Sequence, residues 1–178
     1  MRSLLKLQER LRGGKSMSKS GSGLFKGTKG AKYAAGSSYF MDDTDQFSIN
    51  IKNRKDVDAK GFFDVIAHGT PVSIEISHNG SKIQIDHRVA ARLIKNDKSY
   101  NGQGIRLLSC STGQLTDGFA QNLANKLNVP VSAPSDILWA GPSGRHFVAG
   151  SKIVNGKAGA DLSKPGKFIT FYPKRRKK

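Results

Sequence analysis

At 178 residues, with 37% hydrophobic and 24% charged residues, the chain is long enough to bury one ordinary core and too short for two. Its single cysteine excludes an internal disulfide framework, and no apolar run approaches the roughly 18 residues that a membrane helix needs. The start of the chain lacks the continuous apolar stretch of a signal peptide. We therefore expect one soluble domain with tails.

The basic character of the chain is concentrated at its two ends. Residues 1–32 hold nine Lys or Arg and one acid, and residues 164–178 hold seven and no acid. Only +2 of the net charge of +17 therefore falls on residues 33–163. Like-charged ends favour contact with acidic surfaces, RNA or anionic lipid without forming a specific site. Solvated tails and tails that bind a nucleic acid both remain open on this evidence.

Composition divides the chain into three segments. Residues 1–38 form a basic Gly/Ser/Lys-rich segment and linker, in which the leucine spacing from Leu4 to Leu11 predicts a short helix. Residues 39–173 carry the periodic apolar pattern of an α/β domain, and residues 174–178 are a basic tail.

The predicted elements of the domain alternate between strands and helices. Alternating Phe47, Ile49 and Ile51 predict a half-buried strand, and Asn79-Gly80 is typical of a two-residue hairpin turn. In chain order, the other elements are a buried strand at 62–67, strands at 72–77 and 82–85, a helix capped by Asp86, a strand at 105–109, a helix at 119–127 closed by Asn128, a strand from Pro130, a hairpin joining 137–140 to 146–149, and a strand at 168–172. This order predicts an α/β fold with a mostly parallel sheet, covering helices and β-hairpins.

Two buried strands of this prediction end in residues that carry chemistry. His68 and Gly69 follow the strand at 62–67, and Cys110 follows the strand at 105–109. Because sites in parallel α/β sheets form at the carboxyl ends of the strands, the imidazole and the thiol should meet at one rim. An imidazole activates a nearby thiol, and the amides of Gly69 and Cys110 suit an oxyanion hole. The pattern predicts a cysteine hydrolase.

These residues also carry a family resemblance. A hydrophobic strand ending in His-Gly and another ending in a small residue and Cys resemble the caspase and gingipain group of cysteine peptidases. The chain is more similar still to the self-processing cysteine-protease domain of large bacterial toxins. The similarity lies in Cys110-Ser111, the Phe-led helix 119–127, the strand 129–132 and Gly144-Arg145. It spans about residues 60–150.

The resemblance implies a three-layer caspase-like sheet, with His68 as general base, Cys110 as nucleophile, and Gly69 with the Cys110 amide as oxyanion hole. It also implies a substrate pocket formed partly by the segment from Ser132 to Trp139. Asp136 is then either a contact for a basic substrate side chain or the cap of a turn. The implied substrate-binding residues are Ser132, Ser135, Asp136 and Trp139.

The resemblance carries expectations about partners as well. The domain lacks an evident lysine-rich pocket, which argues against the inositol phosphate activation known in the toxin family, so we expect no cofactor. The Gly/Ser/Lys linker and basic carboxyl end resemble the C-terminal effector domains of bacterial polymorphic toxins. That likeness implies a polypeptide substrate, an acidic immunity protein, and a domain that is secreted or delivered within a larger protein to act in a cytoplasm.

Competing interpretations remain. A strand-end cysteine is often a small buried hydrophobe, and a His-Gly is often only a turn. A pI near 10.2 favours a nucleic-acid-acting toxin in which His68 acts with Arg145 or His146 on RNA or DNA. A third hypothesis is a non-enzymatic binding module whose tails bind an acidic partner. No His and Cys pair has metal-ligand spacing, so we predict no metal.

Overall fold

The computed structural model describes residues 37–41, 44–56 and 60–175. The helix predicted from Leu4 to Leu11 and most of the segment 1–38 lie outside these ranges. The helices are α1 (Gln46–Lys52), α2 (His87–Asn96) and α3 (Phe119–Leu127). The strands are β1 (Ser37–Tyr39), β2 (Phe63–Ile66), β3 (His68–Gly69), β4 (Ile74–His78), β5 (Ser81–Ile85), β6 (Ile105–Leu108), β7 (Val131–Pro134), β8 (Ile137–Ala140), β9 (His146–Val154), β10 (Lys157–Pro165) and β11 (Phe168–Phe171).

A five-stranded sheet in the order β1-β2-β6-β7-β11 forms the centre of the domain. The first four strands are parallel, and β11 joins antiparallel to β7. Two smaller antiparallel sheets, β3-β4-β5 and β10-β9-β8, flank it. The prediction of an α/β fold with a mostly parallel sheet, covering helices and hairpins is confirmed. All four residues of β2 and of β6 are buried, as expected for strands covered on both faces.

Each face of the central sheet packs against its own layer. On one face, alternate residues of β2, β6 and β7 pack with α2, α3 and the β4–β5 hairpin in the larger apolar core. On the other face, Ile66 and Leu108 pack against Ile51 of α1, Leu138 of β8 and Val148 of β9. The side chains of one strand thus divide between two cores because successive residues point to opposite faces.

The strand predicted at Phe47, Ile49 and Ile51 is wrong, because these residues lie in helix α1. Asp45 caps the helix, its Oδ1 accepting a hydrogen bond from the Ser48 amide at 3.1 Å. A helical period turns Ile51 into the core while Ile49 remains 43% exposed. Over so short a segment, the alternation of apolar residues is compatible with a strand or with a helix.

Two asparagine-glycine turns organise the hairpins. Asn79 and Gly80 both have positive φ, of 49° and 76°, as the predicted two-residue turn requires. Asn155 and Gly156, with φ of 50° and 75°, make the same kind of turn between β9 and β10. This second hairpin, which extends β9 to Val154 and adds β10, was not predicted from the sequence.

None of the helices within the described ranges combines the length and the apolar character needed to cross a bilayer.

Candidate functional site

Two neighbouring parallel strands bring the predicted catalytic residues to the same rim of the sheet. β2 and β6 pair with Ile66 opposite Leu108, and the Ala67 amide donates to the Leu108 carbonyl at 3.4 Å. His68 and Cys110 each follow two residues after that matched pair. The carboxyl ends of the two strands therefore place His68 and Cys110 at the same rim of the sheet.

Gly69 packs its backbone directly against the cysteine loop. A Cβ atom added at Gly69 would lie 2.7 Å from the Cys110 carbonyl oxygen and 2.7 Å from Cγ2 of Thr112. Real side chains do not approach this closely, so only glycine fits at this position. The close approach holds the His68-Gly69 segment against the residues around Cys110.

The amide of Gly69 points away from its neighbouring strand β4. Bonded and non-bonded residue pairs alternate along an antiparallel ladder. The Thr70 amide donates to the Ser73 carbonyl at 2.9 Å, so the preceding pair, Gly69 opposite Ile74, is a non-bonded pair. The Gly69 N–H is consequently directed out of the small sheet, as an oxyanion donor would be.

The Cys110 thiol is partly buried beside strand β8. Its Sγ lies 3.9 Å from the Leu138 carbonyl oxygen, and the side chain packs against the smaller apolar core. Burial raises the pKa of the Cys110 thiol above its usual value, and the nearby charge of Asp136 acts in the same direction. The thiol is therefore a neutral group in this arrangement and needs a base to become a nucleophile.

Strand β8 is held beside the cysteine loop and helix α1 by hydrogen bonds to backbone carbonyl groups at its two ends. The Asp136 carbonyl accepts from the Ser111 amide at 3.0 Å, and the Ala140 carbonyl accepts from Nδ2 of Asn50 at 2.8 Å. The Leu138 carbonyl between them faces the thiol. β8 therefore forms one wall of the site.

Ser111, the residue after the cysteine, has a left-handed backbone with φ of 59°. This conformation is uncommon for residues other than glycine, and such strain concentrates at functional sites. It ends β6 in a sharp turn, in which the Gln114 amide donates to the Ser111 carbonyl at 3.1 Å.

Asp45 belongs to the candidate site but was not predicted from the sequence. Its Oδ2 lies 2.6 Å from Nε2 of His68, while its Oδ1 caps helix α1 through the Ser48 amide. Partial burial opposes ionisation, but the hydrogen bonds from His68 and Ser48 prevail and lower the pKa of Asp45. An ionised carboxylate only accepts, so Nε2 of His68 donates to it. The other ring nitrogen, Nδ1, is then the one available as a base. Recognising α1 and its cap would have identified Asp45 from the sequence.

The four predicted substrate-binding residues do not all lie together. Asp136 adjoins the cysteine loop, although its Oδ1 also accepts from the Ile137 amide at 2.8 Å, as a turn cap does. Ser135 holds the loop before β11, because its Oγ accepts from the Lys167 amide at 3.0 Å. Trp139 donates through Nε1 to the Ala149 carbonyl at 3.1 Å. Ser132 is opposite Arg106, near the amino ends of the strands and away from Cys110.

The residues proposed for nuclease chemistry are not grouped with His68. Nε2 of His146 lies 3.4 Å from Asp56, beyond the carboxyl end of α1, whereas His68 lies at the amino end of that helix. Seven helical residues separate the two ends by about 10 Å. Arg145 belongs to the turn that precedes β9 and lines an open cavity of about 830 Å³ with Lys55 and His146.

A network of buried charges occupies the amino ends of the same two strands. Asp64 of β2 accepts from Nε and Nη2 of Arg106 at 2.6 and 2.8 Å, and from Nε of Arg54 at 3.0 Å. Nη1 of Arg106 donates to Asp56 at 2.7 Å. Asp64 and Arg54 are almost fully buried, so this network is a structural element of the sheet.

In the ranges that the structure describes, no three His, Cys, Asp or Glu side chains are grouped so as to hold a metal ion. Comparison with curated proteins and with solved structures found no match. Residues 36–148, which include Asp45, His68, Gly69 and Cys110, match the model of a family described as a domain of unknown function. The chain therefore belongs to the DUF8616 family.

Proposed function

We propose that this protein is a cysteine hydrolase, most simply a peptidase, in which His68 is the general base and Cys110 the nucleophile. The observation that carries the proposal is that both residues follow the carboxyl ends of adjacent parallel strands, with Nε2 of His68 2.6 Å from Oδ2 of Asp45. Two strand ends and a helix cap contribute to one site, which is the way hydrolases assemble nucleophile, base and orienting group.

The ionised carboxylate of Asp45 and its hydrogen bond to His68 suit this mechanism. The lowered pKa of Asp45 keeps its carboxylate ionised, so the carboxylate fixes the ring and favours the imidazolium that forms during the reaction. His68 takes the thiol proton, and the Cys110 sulfur attacks the carbonyl carbon of the substrate. The carbonyl oxygen becomes an oxyanion facing the Gly69 amide. Collapse expels the amine, which takes the proton from His68, and water then hydrolyses the thioester.

The substrate class follows from the walls of the site. Gly69 lets the cysteine loop pack closely against the His68-Gly69 segment, and the strand β8 runs beside the thiol. An extended polypeptide fits a rim that is bordered by a strand. The carboxylate of Asp136 is close enough to influence the pKa of Cys110, which favours a basic side chain in the substrate near the cleaved bond.

The biological setting is part of the same proposal. The resemblance to self-processing protease domains of bacterial toxins, and to effector domains of polymorphic toxins, supports an effector delivered within a larger protein and active in a cytoplasm. An acidic immunity protein is then its expected partner. The proposed mechanism uses only side chains of this chain and no activating anion.

The test measures cleavage of a mixed peptide library and of total RNA by the wild type and four variants. We expect wild type to cleave peptides, and both Cys110→Ala and Cys110→Ser to lose activity by about 10³-fold or more. His68→Ala should fall by at least about 10²-fold. His78→Ala is the matched control, because His78 lies at the β4–β5 turn and should leave the rate unchanged.

Thermal unfolding of each variant separates catalysis from folding. Cys110→Ala removes only a partly buried thiol and should keep its Tm close to that of the wild type. Full peptidase activity in folded Cys110→Ala would refute the assignment. RNA cleavage that survives this substitution would favour the nuclease instead, although His68 and His146 lie at opposite ends of α1.

A further inference from the structure

We infer that one basic surface of the domain binds duplex nucleic acid through its phosphates. The basic surface consists of Arg88, Arg92 and Lys95 of α2, Lys126 of α3, and Arg175 of the segment after β11. None of these residues belongs to the candidate catalytic site. The inference is therefore independent of the proposed peptidase activity, and either of the two can fail without the other.

Helix α2 presents its cations on a single face. Arg88, Arg92 and Lys95 are exposed, and their spacing of four and three residues places them along one side of the helix. Ala90 and Ile94, on the opposite side, are buried in the larger apolar core. From Arg88 to Lys95 the helix rises about 10 Å. The three cations therefore form a row along the solvent side of α2.

Lys126 extends the basic surface onto α3, which packs against α2. Burial lowers the pKa of His87, the first residue of α2; the Asp86 carboxylate opposes this shift, and the charges of Arg88 and Lys126 add to it. The exposed Lys126 is thus close enough to the amino end of α2 for its charge to act there. The cations of the two helices contribute to one region of positive potential.

The segment after β11 adds a further cation beside α3. Nε2 of Gln121 donates to the Tyr172 carbonyl at 2.8 Å, and the Lys174 amide donates to Oδ1 of Asn125 at 2.8 Å. Both hydrogen bonds hold the segment against α3. The exposed Arg175 follows directly, so it continues the basic surface beyond Lys126.

Nearby acids do not neutralise the basic surface. In the part of the chain that the structure describes, none of its five side chains forms an ion pair. Asp86, at one border, caps α2 by accepting hydrogen bonds from backbone amides of that helix. Asp117, near the other border, has its Oδ1 2.9 Å from Nζ of Lys174. An excess of positive charge therefore faces solvent.

The composition of the surface favours nucleic acid over a protein or a membrane. Neither α2 nor α3 exposes a large hydrophobic side chain. The interface with a protein has an apolar centre, and a helix that lies on a bilayer buries an apolar face. Phosphate groups need neither, since arginine binds them through paired N–H donors and lysine through its charge. Cations without an apolar centre are therefore suited to a phosphodiester backbone.

The same surface favours a duplex over a single strand. Proteins hold single strands by stacking successive bases on several aromatic side chains. The one aromatic residue of α2 and α3 is Phe119, which is buried, and Tyr172 is the exposed aromatic residue next to α3. One ring does not provide a series of stacking sites. Contacts to phosphates alone carry no sequence information, so the binding should not depend on base sequence.

Fluorescence anisotropy of the full chain with a labelled DNA duplex of about 20 base pairs tests the inference, and sequence-independent binding should have a Kd of about 10⁻⁴–10⁻⁶ M at ~150 mM salt. The α2 variant combines Arg88→Gln, Arg92→Gln and Lys95→Gln. Because it removes three phosphate contacts, it should weaken binding by about 10-fold or more and make the log–log salt slope shallower by about 3. Lys126→Gln alone should change this slope by about 1.

The matched control removes the same charge from another exposed part of the chain. Lys152→Gln, Lys157→Gln and Lys164→Gln are combined on the β9–β10 hairpin, whose sheet packs on the other face of the central sheet from α2. This variant should change the affinity by less than about 2-fold, because distant charges are screened by salt. Circular dichroism checks that each variant is folded.

Four results would overturn the inference. They are no binding of the duplex, equal weakening by the two triple variants, tighter binding of a single strand of the same length, and equal or tighter binding of polyglutamate. Equal weakening would assign the binding to net charge or to the chain ends. Phosphatidylglycerol vesicles that bind the wild type but not the α2 variant, in the absence of duplex binding, would assign the basic surface to a membrane.

Discussion

The two ends of strands β2 and β6 differ sharply in chemistry, although both lie on the same face of the sheet. Near the amino ends, Asp64 is opposite Arg106; two residues later, Ile66 is opposite Leu108. Two residues later again come His68 and Cys110. Four residues of strand span about 13 Å. A charged pair, an aliphatic pair and the proposed catalytic pair therefore follow one another along the same two strands.

The difference lies in how fully the polar groups are satisfied. Both oxygens of Asp64 accept hydrogen bonds from buried guanidinium groups. At the other end, the Cys110 thiol has one long contact of 3.9 Å, to the Leu138 carbonyl, and the His68 side chain is 41% exposed. Saturated groups stabilise a fold, whereas accessible groups with unused capacity can react. Substitutions at the two ends should therefore affect different properties.

The largest effect on stability is expected at the charged end. Asp64→Ala leaves the guanidinium groups of Arg54 and Arg106 buried without their shared carboxylate, and this should reduce the free energy of unfolding by about 3–5 kcal/mol. Urea unfolding measures the loss. Asp117→Ala is the control, because its ion pair with Lys174 is exposed and should contribute at most about 1 kcal/mol. Equal losses in the two variants would contradict the contrast between the ends.

Gly69→Ala should reduce both activity and stability at the catalytic end. The added Cβ would lie 2.7 Å from the Cys110 carbonyl oxygen, so the backbone around the nucleophile must move. A displacement of this kind should lower kcat/KM by about 10²-fold, and overpacking should lower stability by about 1–3 kcal/mol.

Gly159→Ala is the matched glycine control. A Cβ at Gly159 meets nothing within 4 Å, so neither property should change appreciably. Unchanged kcat/KM in Gly69→Ala would show that the cysteine loop tolerates the displacement and would argue against an oxyanion role for the Gly69 amide.

The parallel arrangement of the strands and the residues at their ends were predictable from the apolar runs and from the alternation of strands with helices. Continuous apolar runs identified β2 and β6, and a parallel arrangement placed His68 and Cys110 at one rim. Asp45 was not predicted, because its role depends on helix α1, whose alternating apolar residues were assigned to a strand. The β10 strand was missed because its exposed, small residues lack an apolar period. Ser132 was grouped with the site because the resemblance implied a substrate pocket at the segment from Ser132 to Trp139, whereas strand pairing places it opposite Arg106.

Asp45→Asn should have a smaller effect than loss of the nucleophile or the glycine. Asparagine keeps the helix cap but removes the charge that orients His68, so kcat should fall by about 10-fold or more. Asp86→Asn is a matched control, since Asp86 caps α2 in the same manner, and it should not alter kcat. An unchanged kcat in Asp45→Asn would show that Asp45 only caps helix α1 and does not assist His68 in catalysis.

The same substitution predicts a pH dependence of stability. Because the folded pKa of Asp45 is lowered, its ionised form contributes stability above its ordinary pKa of about 4, and this contribution disappears as the pH falls below that value. The difference in unfolding free energy between wild type and Asp45→Asn should therefore narrow between pH ~6 and ~3. A constant difference across this range would contradict the predicted linkage.

The smallest predicted effect concerns the rate at which the Cys110 thiol reacts with an alkylating reagent. Because burial raises its pKa, alkylation by iodoacetamide at pH 7 should be slower than that of a free thiol, and the rate should rise at a pH above about 8.5–9. The pH profile of the labelling rate measures this inflection. If His68 accepts the thiol proton, His68→Ala should slow labelling at neutral pH by a few-fold, whereas His78→Ala should leave it unchanged. An inflection below pH 7 would instead indicate a preformed thiolate–imidazolium pair, and the neutral thiol inferred from its burial beside Leu138 would then be wrong.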